Sequence, residues 1–147
     1  MCIRDRCASW IEASNILGFK LHISSPPEYK HLLEELNINQ NNVEYFADPL
    51  EACMQSNLIT TDVWTSMGFE QEKNERLKSF ERWTVDRRKI DVANKDVIFM
   101  HCLPAHRGEE VSTDVIDGPK SVVWQEAENR LHFQKALLEF LIKINEV

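Results

Sequence analysis

Apolar residues recur along the chain in two alternating patterns. Short runs of apolar and β-branched residues alternate with longer segments in which apolar residues recur every three or four positions. The short runs predict strands, and the longer segments predict amphipathic helices. Strands are predicted at 20–24, 43–46, 58–63, 97–100 and 121–124, and helices at 7–18, 28–36, 49–56, 70–83, 86–94 and 129–144.

This alternation predicts an α/β fold, namely a doubly wound (Rossmann-like) parallel sheet with helices on both faces in a single domain. Gly18 is placed to end the first helix, and Asp48 is placed to cap a helix that begins at Pro49. In such a sheet a strand should precede the helix at Cys7. Residues 1–6 carry three charges and make a poor central strand. We therefore expect residues 1–6 to be a non-native-looking leader on a chain truncated at its N-terminus.

Composition narrows the function classes. The chain has 147 residues and a net charge of −7, which fits one globular domain and argues against nucleic acid as a partner. No apolar run approaches the roughly 20 residues that span a bilayer, so we expect no membrane segment. The four cysteines form no CxxC pair, which favours a reducing cytoplasm. The four glycines form neither a dinucleotide fingerprint nor a phosphate loop, and we expect no cofactor.

Reactive side chains follow two of the predicted strands. Cys102 is the second residue after the strand at 97–100. Asp62 lies at the end of the strand at 58–63, and Ser66 lies in the turn after it. The carboxyl ends of parallel strands open onto a crevice where ligands bind. A carboxylate there suits an ammonium group, and a hydroxyl with exposed N–H groups suits a carboxylate, so the pattern fits an amino acid ligand. The alternatives are that Asp62 and Ser66 only cap local structure and that Cys102 is a buried structural thiol.

Two further features concern ions. His101, Cys102 and His106 suggest a metal, but adjacent residues on a strand point to opposite faces, so we expect no metal site. Arg130 lies near the predicted start of the helix at 129–144, where a cation is electrostatically unfavourable. Its position makes more sense if an anion lies between it and the helix end.

Three segments together resemble the ornithine carbamoyltransferases. These are DVWTSMG at 62–68, HCLPAHRGEEV at 101–111 and EAENRLH at 126–132. The resemblance covers residues 7–147 and implies the C-terminal, ornithine-binding domain. It implies transfer of a carbamoyl group from carbamoyl phosphate to the δ-amine of L-ornithine, giving L-citrulline and phosphate in arginine biosynthesis. It also implies a homotrimer for the full-length protein.

The resemblance assigns roles to individual residues. Asp62, Ser66 and Met67 would contact ornithine. Cys102 and Leu103 would lie where ornithine and carbamoyl phosphate meet, and Arg130 would bind carbamoyl phosphate. A Cys102 thiolate beside Asp62 would bind the δ-ammonium and accept its proton, while Arg130 would stabilise the developing oxyanion, which makes Cys102 and Arg130 the catalytic candidates.

The chain also departs from the family. The phosphate-binding Ser-x-Arg-Thr-Arg and His-Pro-x-Gln segments are absent, so we expect this chain alone to be inactive. Some apolar residues of the last helix, 129–144, should lack a partner. Two alternatives stay open: a carbamoyltransferase for N-acylornithine or putrescine, and an amino-acid-binding or oligomerisation module without catalysis.

Overall fold

The computed structural model describes residues 2–36, 41–64 and 73–144. Its helices are α1 (Cys2–Leu17), α2 (His31–Glu34), α3 (Pro49–Cys53), α4 (Lys73–Phe80), α5 (Arg87–Asp91), α6 (Thr113–Ile116) and α7 (Val123–Ile144). Its strands are β1 (Leu21–Ser24), β2 (Val43–Phe46), β3 (Leu58–Thr61) and β4 (Ile98–His101).

All strand pairing among the described elements is parallel. β1 pairs with β2, and β3 pairs with β4. Helices lie in the connections between paired strands, as parallel pairing requires. The predicted α/β class with parallel strands is confirmed. In the described part of the chain, however, the strands form two separate pairs and not one continuous ladder.

The predicted strand at 121–124 is wrong. Ser121 forms only an isolated parallel bridge with Phe99, and α7 begins at Val123. The change from strand to helix occurs at one residue: Val122 N donates to Phe99 O at 2.9 Å, and Val122 O accepts from Glu126 N at 2.9 Å. Of the four residues predicted as a strand, the first two contact β4 and the last two begin the helix. α7 therefore begins six residues before the predicted 129.

The first helix is longer than the pattern predicted. Residues 2–6, interpreted from the sequence as a leader, continue α1 toward the N-terminus. At the other end Gly18 adopts φ 74°, and its N–H donates to Ser14 O at 2.9 Å. This left-handed residue closes the helix as predicted, because glycine adopts positive φ without steric cost.

The main core lies around β3 and β4. Phe99 and Val111 are fully buried, and they pack within one continuous apolar cluster. The cluster comprises Ile59, Val85, Ile90, Val97, Phe99, Val111, Val115, Ile116 and Val123. Residues of β3, β4, α5 and α6 all contribute to this cluster, so the strands β3 and β4 that carry the reactive side chains are anchored in the main core.

α7 leaves this core after its first turn. Every residue from 127 to 144 is exposed. The exposed large apolar side chains of this stretch are Leu131, Phe133, Leu137, Leu138, Phe140, Leu141, Ile142 and Ile144. The expectation that some apolar residues of the last helix are left uncovered agrees with the exposure of Leu137, Leu138 and Ile144 in the described chain. No helix among the described residues is both long and apolar enough to cross a membrane.

Candidate functional site at the carboxyl ends of two parallel strands

Strand register brings Asp62 and Cys102 together. Thr61 of β3 pairs with His101 of β4, so the next residue on each strand leaves the sheet at the same edge. Cys102 Sγ donates to Asp62 Oδ1 at 3.0 Å, and the same oxygen accepts from Val63 N at 2.8 Å. The thiol and the carboxylate, which are 40 residues apart in the chain, therefore form one site.

The second carboxylate oxygen of Asp62 is available to a cation. Only 13% of the Asp62 side chain is exposed, and Oδ2 lies 3.0 Å from Arg6 Nε. This contact lacks hydrogen-bond alignment, so the buried Oδ2 has no hydrogen-bond partner in the described structure. A buried carboxylate oxygen without a partner is unfavourable. An ammonium group directed at Oδ2 would satisfy it better than Arg6 does.

The surroundings of Cys102 hold it as a thiol. Burial first, and then the hydrogen bond and the negative charge of Asp62, raise the pKa of Cys102 to about 12. At neutral pH the group is protonated and donates to Asp62. The thiolate predicted from the sequence is therefore wrong for this arrangement, because the carboxylate that was expected to assist the thiolate disfavours a second negative charge.

Leu103 is held in an unusual backbone conformation next to Cys102. Its φ is 49°, and the following Leu103–Pro104 peptide bond is cis. A branched residue seldom adopts positive φ, and such strain persists where surrounding contacts fix it. Here Leu103 N donates to His101 Nδ1 at 2.9 Å, and the Leu103 side chain packs on the main core. The hydrogen bond and the packing therefore fix the conformation of Leu103, the residue that follows Cys102.

A buried contact between His101 and Glu110 joins the start of the loop at 101–110 to its end. Both side chains are fully buried, and His101 Nε2 lies 3.3 Å from Glu110 Oε1. His106 N donates to the same oxygen at 2.5 Å. Burial tends to raise the pKa of Glu110, but its contacts with His101 and the His106 N–H outweigh burial, and the pKa is lowered. Glu110 is therefore a buried carboxylate that fixes both ends of the loop 101–110.

Glu126 is a second supporting carboxylate. Its Oε2 accepts from His101 N at 3.0 Å, which joins the first turn of α7 to the end of β4. No role was predicted from the sequence for Glu110 or Glu126. Both lie inside the motifs at 101–111 and 126–132, and that was the only sequence signal available for them. Their contacts depend on the path of a loop and on where α7 begins.

Arg130 lies one turn beyond Glu126 on α7 and is exposed. It is the eighth residue of the helix, counting from Val123, so it lies about two turns inside α7. The inference that Arg130 opposes the positive end of the helix dipole is therefore wrong, since that effect is confined to the first turn. No contact found in the described residues joins Arg130 to Asp62 or Cys102.

The structure thus brings Asp62, Cys102 and Leu103 together. Ser66 and Met67 lie outside the described residues, and their predicted contacts with ornithine stay predictions. The part played by Arg130 also stays a prediction. The described portion of the site contains a carboxylate, a neutral thiol and a strained loop, a set that suits binding a primary ammonium group.

Residues 4–141 match the family described as aspartate/ornithine carbamoyltransferase, Asp/Orn binding domain. The ornithine carbamoyltransferase of Dechloromonas aromatica is 57% identical over 139 residues, which cover 94% of this chain and 45% of that protein. The chain thus spans about half the length of the curated relatives it matches.

Two solved structures have a similar fold. The ornithine carbamoyltransferase of Burkholderia thailandensis has a TM-score of 0.80 at 51% identity, covering 91% of this chain and 42% of that one. The enzyme of the same name from Pyrococcus furiosus has a TM-score of 0.78 at 43% identity, covering 89% and 44%. With a family match over nearly its whole length and a shared fold, this chain belongs to the aspartate/ornithine carbamoyltransferase family, within its Asp/Orn binding domain.

Proposed function

We propose that the chain is the ornithine-binding part of an ornithine carbamoyltransferase. The reaction would transfer the carbamoyl group of carbamoyl phosphate to the δ-amine of L-ornithine, giving L-citrulline and phosphate. The observation that carries the proposal is the contact between Cys102 Sγ and Asp62 Oδ1 beside an oxygen, Asp62 Oδ2, that has no hydrogen-bond partner. Relatives that bear this name at 57% and 56% identity support it.

The site chemistry suits a primary amine. An alkyl ammonium group with a pKa near ~10 is mostly protonated at neutral pH and must lose a proton before it can attack a carbonyl. Asp62 Oδ2 would bind that ammonium and accept the proton that it loses as the amine attacks the carbonyl carbon. The Cys102 thiol would orient Asp62 through the hydrogen bond to Oδ1 without adding a second charge. Positioning of the two substrates would supply much of the rate.

The remaining roles rest on the resemblance. Ser66 and Met67 would hold the α-amino-acid head of ornithine. Leu103 and Cys102 would lie where the two substrates meet, and Arg130 would bind the phosphate and stabilise the oxyanion. Arg130 is exposed and one turn beyond Glu126, a position from which it could meet a ligand held by another part of a longer protein.

We also propose a larger assembly in the cytoplasm. The chain would act as part of a longer protein whose other half binds carbamoyl phosphate and covers the exposed apolar residues of α7. That longer protein would form a homotrimer. By this proposal the chain alone binds ornithine but produces no citrulline.

Calorimetric titration with L-ornithine tests the binding step. We expect Asp62→Asn to weaken binding by about tenfold or more, because an ammonium–carboxylate pair is lost. Asp117→Asn, which removes an exposed carboxylate paired with Arg107, is the matched control and should leave the affinity unchanged. Arg6→Ala should tighten binding, since the Arg6 guanidinium lies beside the same oxygen and would compete with the ammonium group for it. Unchanged affinity in Asp62→Asn would contradict the proposal.

Ligand analogues separate the two alternatives among enzymes. L-Norvaline keeps the amino-acid head and lacks the δ-amine, whereas putrescine lacks the head. Ornithine should bind more tightly than either. Tighter binding of putrescine or of N-acetyl-L-ornithine would identify a carbamoyltransferase for another amine.

A citrulline assay tests catalysis. The chain alone should give no turnover. Saturable turnover would show that the half of the protein proposed to bind carbamoyl phosphate is not needed. A chimera that joins the chain to the N-terminal half of the Dechloromonas aromatica relative should form citrulline. Failure of a folded chimera that still binds ornithine would favour a binding module without catalysis.

A further inference from the structure

We propose that His106, Glu109 and Glu110 form a binding site for a divalent transition metal ion of the Zn²⁺ class. One ligand atom from each side chain lies within 4.8 Å of the other two. The three residues follow Cys102 and Leu103 in the chain, and the proposed reaction gives none of them a role. This set differs from His101, Cys102 and His106, which the sequence suggests as metal ligands but at which no metal site is expected.

Glu110 provides the observation that points to a cation. Its Oε1 is occupied by His106 N at 2.5 Å and faces His101 Nε2 at 3.3 Å. Its Oε2 is buried and has no hydrogen-bond partner in the described structure. That oxygen lies 3.7 Å from His106 Nδ1. A fully buried carboxylate thus directs an unpaired oxygen at an imidazole nitrogen.

The separation suits two ligands of one ion. With metal–ligand distances of about 2.0–2.2 Å and tetrahedral angles, two ligand atoms lie about 3.4 Å apart. The 3.7 Å between Glu110 Oε2 and His106 Nδ1 is close to that value. One imidazole and two carboxylates can bind Zn²⁺ and neutralise its charge. About half of the His106 side chain is exposed, which leaves room for the ion to enter and for water to complete its coordination.

The competing contact is weak. Lys73 Nζ lies 3.3 Å from Glu109 Oε1, and both side chains are partly exposed, at 41% and 26%. Ion pairs of this kind contribute at most about 1 kcal/mol. An ion that binds Glu109 therefore displaces Lys73 at little cost. Glu110 would bind the ion through Oε2 while its Oε1 keeps the contact with His101. In metal sites such a contact to the other end of a ligand side chain fixes the orientation of that side chain.

Titration of the chain with Zn²⁺ and with Co²⁺ tests the proposal. We expect one equivalent of either ion to bind per chain. His106→Gln and Glu109→Gln should each lower the affinity by about tenfold or more. His132→Gln removes an exposed histidine that is likewise paired with a glutamate four residues away, and it should change nothing. Far-ultraviolet circular dichroism of each variant checks that it is folded.

The Co²⁺ spectrum distinguishes this site from one at Cys102. A nitrogen and oxygen site gives weak visible bands only, whereas a thiolate ligand adds strong near-ultraviolet absorption. Cys102→Ser should leave the spectrum and the affinity unchanged. Thiolate absorption that disappears in Cys102→Ser, or unchanged affinity in both His106→Gln and Glu109→Gln, would overturn the proposal. Ornithine binding, which depends on Asp62, is measured separately and does not bear on this outcome.

Discussion

The end of β4 and the outer part of α7 place opposite kinds of side chain in unusual environments. At the end of β4 polar groups are buried: His101 and Glu110 have no exposure, and each has contacts supplied by this chain. On α7 large apolar groups are exposed, with Phe133 at 69% and Phe140 at 59%. This chain itself buries the first region, although Glu110 Oε2 has no hydrogen-bond partner in the described structure. The second region has apolar surface of the kind that usually marks an interface.

The largest expected difference between the two regions is in the free energy of unfolding that is lost when one phenylalanine in each is truncated to alanine. Phe99→Ala should destabilise the chain by about 3–5 kcal/mol, because it opens a cavity at a fully buried position. Phe140→Ala makes the same chemical change on α7 and should stay within about 0.5 kcal/mol. Urea unfolding of both variants measures the difference. If Phe140→Ala lowers the free energy of unfolding as much as Phe99→Ala does, then α7 is covered in solution. The contrast between a buried strand end and an exposed helix would then be wrong.

Glu110→Gln tests whether the buried carboxylate stabilises the strand end. At pH 7 we expect a loss of about 1.5–3 kcal/mol, because hydrogen bonds to a charged acceptor are replaced by weaker ones. The pKa of Glu110 is lowered on folding, with burial opposed and outweighed by the contacts of His101 and His106 N. A lowered pKa stabilises the fold above the unfolded value of about 4.3, and that contribution is lost as the pH falls through the folded pKa.

The difference between the wild-type chain and Glu110→Gln should therefore be full at neutral pH and shrink below about pH 4. Urea unfolding at pH 7, 5 and 3.5 measures it. Glu139→Gln, which alters an exposed pair with Lys143 on α7, is the control and should show little effect at any of these pH values. A difference that grows on acidification would mean that Glu110 is protonated in the folded chain.

Sequence reasoning succeeded where a property of the sheet decides the outcome. The meeting of Asp62 with Cys102 follows from parallel strands ending at one edge, and β2 spans the predicted 43–46. It failed where alternatives differ by one hydrogen bond. Val122 joins the sheet and Val123 begins a helix, and periodicity over four apolar residues does not separate those outcomes. The positions of Glu110 and Glu126 depended on that same boundary and on a loop.

The alkylation rate of Cys102 at the end of β4 should change less, in energy terms, than the stabilities discussed above. The pKa of Cys102 is raised to about 12 by burial and by the hydrogen bond and charge of Asp62. Asp62→Asn keeps a hydrogen-bond acceptor and removes the charge, so alkylation by iodoacetamide at pH 8 should become faster by about tenfold, equivalent to one pKa unit. Peptide mass spectrometry measures the rate at Cys102. Asp117→Asn should not change it, and an equal increase in that control would show general loosening of the fold.

Glu126 and Arg130 allow the comparison to be made within a single helix, where we expect the smallest effect. Glu126 holds His101 N at 3.0 Å, whereas Arg130, one turn further along α7, is exposed. Glu126→Gln should therefore cost about 1 kcal/mol in urea unfolding, and Arg130→Ala should stay within about 0.5 kcal/mol. In the chimera that carries a phosphate-binding half, the order should reverse for citrulline formation, because Arg130 would then meet the phosphate. If Arg130→Ala destabilises the isolated chain as much as Glu126→Gln does, then Arg130 also stabilises the fold of this domain. The part of α7 that supports the core would then extend at least as far as Arg130.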